Sequence, residues 1–128
     1  MKRVAGLRGR YTVKFSDTEF PIPSDLLSVL EKCGMQGFDT TLGKEGEMKY
    51  LNMYPVDKET GSFYTIYEGK TRIPRAIKGY LGIKKNGIIV GLFNKLELWG
   101  PESWKSYIKH EKKIGAYDVS TPDIEKKI

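Results

Sequence analysis

The chain has 128 residues, 39% of them hydrophobic, with 22 Lys+Arg against 16 Asp+Glu and a formal net charge of +6. That is the size of one domain with apolar content enough for one core, and too apolar for a disordered chain. No apolar run approaches the roughly 20 residues that a membrane helix needs. Met1, Lys2 and Arg3 are followed by no apolar stretch, so a signal peptide is not expected. A lone cysteine, Cys33, fits a reducing cytoplasm, and one cysteine with one histidine, His110, argues against a zinc site or a Cys–His nucleophile pair. No cofactor and no metal are expected.

Taken in chain order, residues 11–15 alternate among β-branched and aromatic side chains and predict a strand. Residues 16–19 form a polar turn, and Phe20-Pro-Ile-Pro23 a brief extended segment. Ser24 and Asp25 are placed to cap a short helix with Leu26, Leu27 and Leu30 on its apolar face and Gly34 at its end. Residues 37–46 read as turn-rich, and 48–54 as a strand closed by Pro55. The pattern then restarts. Residues 62–67 are β-rich, 68–71 form a turn, and 75–81 form a second short helix. Residues 82–87 read as a turn, with Asn86-Gly87 as a hairpin signal. Strands at 87–93 and 96–99 flank a turn at Asn94-Lys95. Pro101 at the first helical position opens a terminal amphipathic helix with Trp104, Tyr107, Ile108 and Ile114 on one face. The tail from 115 to 128 is expected to be loosely held.

The restart has a register. Ile22-Pro23 and Ile73-Pro74 match at a fixed offset, at which Leu26 meets Ile77 and Leu30 meets Leu81. This favours a duplication: a first unit at 1–55, a second at 56–114 carrying the C-terminal helix, and both sharing one pseudo-dimeric barrel.

Charge separates the halves. Residues 1–55 hold 8 Lys+Arg and 7 Asp+Glu, and residues 56–128 hold 14 and 9. Residues 69–96 carry Lys70, Arg72, Arg75, Lys78, Lys84, Lys85 and Lys95 with no acid, a local field that favours a polyanion. Arg72 suits base reading, because its fork pairs with guanine. Lys70, Arg75, Lys78 and Lys84 suit phosphate, and Arg8, Arg10 and Lys14 extend the track in the first half, opposed by Asp17 and Glu19. The competing reading of Arg72 is a surface pair with Glu68. Trp99 and Trp104 are expected in the core, and Tyr50, Tyr54, Tyr64 and Tyr67 in cross-strand packing. His110 is expected in solvent, and Cys33 as a small hydrophobe or quiet thiol.

The segment Gly91-Leu-Phe-Asn-Lys-Leu-Glu-Leu-Trp99, followed by Trp104, resembles the closing signature of the MraZ family, bacterial transcriptional regulators built from two SpoVT/AbrB-type swapped-hairpin units. Gly69-Lys-Thr-Arg-Ile-Pro74 resembles that superfamily's Gly-Arg-x-x-Ile-Pro loop, and residues 82–90 resemble the hairpin after it. The resemblance is good over 69–104 and rests on pattern alone over 9–55. The chain departs from the family in three places: Ile66 stands where the loop has Asp, Thr18-Glu19 replaces Gly-Arg in the first unit, and only residues 56–61 separate the units. The resemblance implies a mainly β fold with short helices, a tandem swapped-hairpin AbrB-type β-barrel (cradle-loop barrel) with a C-terminal helix. It further implies a cytoplasmic, nucleoid-associated homo-oligomer that binds double-stranded DNA and has no enzymatic activity. Two alternatives stand beside it: a structural or partner-binding barrel that lost DNA binding, and a small-molecule kinase of the CTP-dependent riboflavin type, because 38–43 faintly resembles a phosphate-binding loop.

Overall fold

In the computed structural model, residues 4–58 and 63–114 are described, the last five as backbone only. The expectations for His110, Ile114 and the tail therefore lie outside the described residues. Alternation decides the first strand, β1 (Leu7–Lys14): Leu7 and Val13 are buried, whereas Arg8, Arg10, Thr12 and Lys14 face out. Then follow β2 (Glu19–Pro21), helix α1 (Ser24–Lys32), β3 (Gly37–Glu45) and β4 (Met48–Val56). The second series is β5 (Phe63–Thr65), β6 (Lys70–Arg72), α2 (Arg75–Tyr80), β7 (Asn86–Phe93) and β8 (Leu96–Trp99), and α3 (Pro101–Ile114) ends it.

Six strands form one antiparallel sheet in the order β1-β7-β8-β4-β3-β5, and β2 and β6 pair as a separate ribbon. Exchanging β1 with β5, β3 with β7 and β4 with β8 reads the same order backwards. The leading strand of each series pairs with the hairpin of the other, β1 with β7 and β5 with β3, and β4 meets β8 at the centre. The two outermost strands run through tight turns into β2 and β6, so the ribbon joins both ends of the sheet and gives a mainly β, barrel-like fold. The turns correspond in detail. The Ile22 N–H donates to the Gly69 carbonyl at 2.8 Å, and the Ile73 N–H to the Thr18 carbonyl at 3.0 Å. Asp17 and Glu68 both adopt positive φ, 57° and 50°.

The core lies between sheet, ribbon and the two short helices. Ile22, Ile73, Leu26, Leu30 and Leu81, all positions matched by the repeat, are buried in it, and Ile77 is half-buried against it. Cys33, at the end of α1, is also half-buried there. On the outer face of the sheet, α3 packs over β4 and β7. Trp99, 2% exposed, stacks on Tyr50 at 4.6 Å between ring centroids and meets Trp104 edge-on at 5.4 Å. Trp99 is buried, as expected, whereas Trp104 is only half-buried, on α3 outside the core.

Several local expectations are overturned. Residues 37–46 are not turn-rich but supply β3. Its glycines serve close approach: a Cβ on Gly37 would overlap the Phe63 ring, and one on Gly43 the Tyr50 ring. Pro55 does not close β4, which runs on to Val56 paired with β3, Phe38 opposite Pro55; β8 pairs only with Tyr50–Met53, so the proline's other edge has no ladder to break. Asn86-Gly87 is no hairpin turn. It begins β7 opposite Lys14 and Val13, and Gly87 leaves room for Leu98, 3.0 Å from where a Cβ would sit. The partner of this stretch is the distant β1, so the dipeptide's local preference is overridden. Ser24 and Asp25 do not cap α1. Pro23 holds the cap position with no side-chain cap bond, and Pro74 does the same for α2, both in extended backbone with ψ of 138° and 150°. Tyr67 and Tyr54 are exposed, at 68% and 40%, instead of packed across strands.

Candidate nucleic-acid interface

The ribbon has one buried and one exposed face. Phe20 and Thr71, opposite one another, point into the core. On the outer face Glu19 lies opposite Arg72 and Pro21 opposite Lys70, and the bridges Ser16–Glu19 and Tyr67–Lys70 extend each row by one residue. Pairing residues across the ribbon sets the acid of one turn among the cations of the other. Glu19 Oε2 is 3.8 Å from Arg72 Nη2, and its Oε1 is 4.0 Å from Lys70 Nζ. Arg75, at the start of α2, donates to Asp17 Oδ2 at 3.1 Å. Arg72 therefore takes Glu19 as its ion-pair partner across the ribbon, and not Glu68 along its own turn. All these groups are solvent-exposed, where ion pairs contribute ~0–1 kcal/mol each.

A second group of cations lies beside the ribbon. Lys14 ends β1, and the next residue's N–H, that of Phe15, donates to the Lys85 carbonyl at 2.7 Å. Lys84 and Lys85 immediately precede β7, whose first residue, Asn86, faces Lys14. Lys78 Nζ stands 5.7 Å from the Phe15 ring centroid, three residues from Arg75 on α2. Lys14, Lys84 and Lys85 are exposed and have no ion-pair partner among the described residues. The surface thus joins a ribbon whose cations are partly neutralised to a lysine group that is not.

Arg8 and Arg10 are set apart from this group. They lie along the outer face of β1, and Arg8 is separated from Lys14 by about 20 Å of strand. The Arg10 guanidinium sits 5.7 Å from the Trp104 ring centroid, on the α3 side of the sheet. Lys85 escaped the sequence-based site, because reading 82–87 as a turn hid its anchorage beside Lys14. The partnership of Glu19 with Lys70 was reachable, since the repeat offset places these two residues at equivalent positions.

Two tyrosines near these elements hold their protons unusually tightly. Burial, then the Asp25 carboxylate, raises Tyr11 above the ordinary tyrosine range, and its hydroxyl donates to the Arg8 carbonyl at 2.9 Å. Burial, then Glu97, raises Tyr50. No group of three or more His, Cys, Asp or Glu able to hold a metal occurs among the described residues. No helix among them is long and apolar enough to cross a membrane.

One polar atom of the ribbon has no use in this arrangement. Thr71 Oγ1 is buried without a hydrogen-bond partner, opposite Phe20. A buried unsatisfied hydroxyl costs on the order of 1–3 kcal/mol, so Thr71→Val is expected to raise stability by about 1 kcal/mol. Urea denaturation measures this as an increased midpoint with an unchanged slope.

A barrel-like antiparallel sheet whose two series exchange strands, closed by a ribbon and braced by a terminal helix, defines the class of protein. No family model matches the chain. Curated proteins named transcriptional regulator MraZ do match. That of Finegoldia magna is 38% identical over 40 residues, 31% of this chain and 28% of that protein. That of Bifidobacterium longum is 23% identical over 91 residues, 66% and 57%. That of Shewanella denitrificans is 32% identical over 56 residues, 43% and 37%. The matches thus span between about a quarter and somewhat over half of these relatives' lengths. Over these stretches the chain is similar to MraZ proteins, and its mainly β, barrel-like fold is consistent with that likeness.

Proposed function

We propose that the chain is a DNA-binding transcriptional regulator that contacts duplex DNA through the ribbon and the lysines beside it. The observation that carries the reading is the exposed group Lys14, Lys84 and Lys85, without ion-pair partners among the described residues and continuous with Lys78, Arg75 and the ribbon cations Lys70 and Arg72. Lysines supply phosphate contacts, and a two-stranded ribbon is of a size to enter a major groove. The relatives' name, transcriptional regulator, supports the same reading. In this proposal the units are 1–55 and 56–114, Arg8 and Arg10 extend contact along β1, and several copies present the ribbon to nucleoid DNA together.

The two ribbon ion pairs of Glu19, with that of Arg75 and Asp17 beside them, favour a second reading, a barrel that has exchanged DNA for a protein partner. Residues 38–43, the stretch behind the kinase alternative, lie within strand β3. Fluorescence anisotropy with random duplex DNA at two salt concentrations tests the proposal. Expected is binding that weakens steeply with salt, by about tenfold or more for each threefold rise in concentration. Absence of binding, or a flat salt response, overturns it and favours the protein partner.

A further inference from the structure

We propose that Glu19 and Arg72 together read one G·C base pair in the major groove, with Arg72 donating to guanine and Glu19 accepting from the cytosine amine. This rests on the duplex-DNA reading above. A surface built only to grip phosphate gains nothing from a carboxylate between its two cations, since the carboxylate repels the backbone it is meant to bind. Glu19 sits in that place, 3.8 Å from Arg72 and 4.0 Å from Lys70. The two side chains of interest stand directly opposite one another on the exposed face of the ribbon, held by the ladder beneath them.

Their spacing matches the target. At 3.8 Å the guanidinium and carboxylate share charge without a hydrogen bond, which leaves the arginine fork open. Arg75 differs, because its guanidinium is committed to Asp17 at 3.1 Å. In the major groove the guanine O6 and N7 acceptors lie beside the cytosine N4 donor of the same pair. An open arginine fork and an acceptor side by side complement that edge. An A·T pair sets the adenine amine where guanine has O6 and the thymine O4 acceptor where cytosine has its amine, so neither side chain finds its complement. The adjacent lysines, with no acid partner among the described residues, supply the affinity that this balanced pair does not.

The test is selection of duplexes from a random-sequence library by the wild-type protein and by the Glu19→Gln and Arg72→Lys variants, with sequencing of the bound fraction. The wild type is expected to select a G·C pair at one position. Each variant is expected to relax the preference at that same position by about tenfold. Glu19→Gln also binds unselected duplex more tightly, with a steeper salt dependence, because an anion has been removed. Glu19→Gln is isosteric, Arg72→Lys keeps the charge and removes the fork, and unchanged thermal melts verify the fold. A wild-type motif that Glu19→Gln leaves intact overturns this inference and leaves the duplex reading standing. Retention of no duplex by the wild type at low salt overturns both.

Discussion

Replacing Lys14, Lys84 and Lys85 together by glutamate is expected to weaken binding to random duplex DNA by about a hundredfold at moderate salt. Three phosphate contacts become three repulsions, and the slope of log affinity against log salt should flatten by about 3. Lys70→Glu with Arg72→Glu should do less to this unspecific binding, by about tenfold, a smaller loss than its two reversed charges alone would give. The reason is Glu19, which already offsets part of the charge of those two cations. Anisotropy titrations of both variants beside the wild type measure the difference. A larger loss from the ribbon pair than from the lysine triple would make the ribbon the chief source of affinity, and the proposed division between lysine group and ribbon would fall.

That division could not be read from charge alone. The acid-free stretch 69–96 is plain in the sequence. Its partners are not plain, because Asp17 and Glu19 lie some fifty residues upstream and meet Arg75, Lys70 and Arg72 only through the β2–β6 pairing. Local patterning finds strands and short helices where side chains alternate or a Pro precedes an apolar period. It fails at β3, where Gly37 and Gly43 look like punctuation and in fact make room for aromatic rings. It fails again at Asn86-Gly87, where a strong turn preference yields to eight paired residues of β1. The causes differ: β3 pairs along its whole length with the neighbouring β4, and its glycines hide the strand pattern by giving place to rings. At Asn86-Gly87 the deciding partner is β1, distant in sequence.

The Ile-Pro repeat is the most informative short feature of the chain. Its isoleucines, Ile22 and Ile73, are buried at equivalent places, and their N–H groups exchange bonds with the opposite turn. Each proline then opens a helix without any side-chain cap. What distinguishes the two copies is their surface. Glu19 stands where the other copy has Lys70, and Ser24 where it has Arg75. The shared core and the unlike surfaces make one side of the ribbon acidic and the other basic.

This architecture also determines how the protein should unfold. Ile73→Ala and Ile22→Ala each remove a buried side chain from the seam where the ribbon meets the core, and each is expected to destabilise by about 2–5 kcal/mol. Ile73, fully buried, should lie toward the upper end of that range, and Ile22, 6% exposed, slightly below it. Neither series closes a sheet alone, because β1 needs β7 and β5 needs β3. Damage in one series must therefore unfold the other with it. Calorimetry of both variants should show one transition at a lowered midpoint, with agreement between calorimetric and van't Hoff enthalpies. A total stability of the order of 5–15 kcal/mol leaves little or no folded protein in the double variant. Two resolved transitions in either single variant would mean that the series fold independently, which the exchange of β1 and β5 forbids.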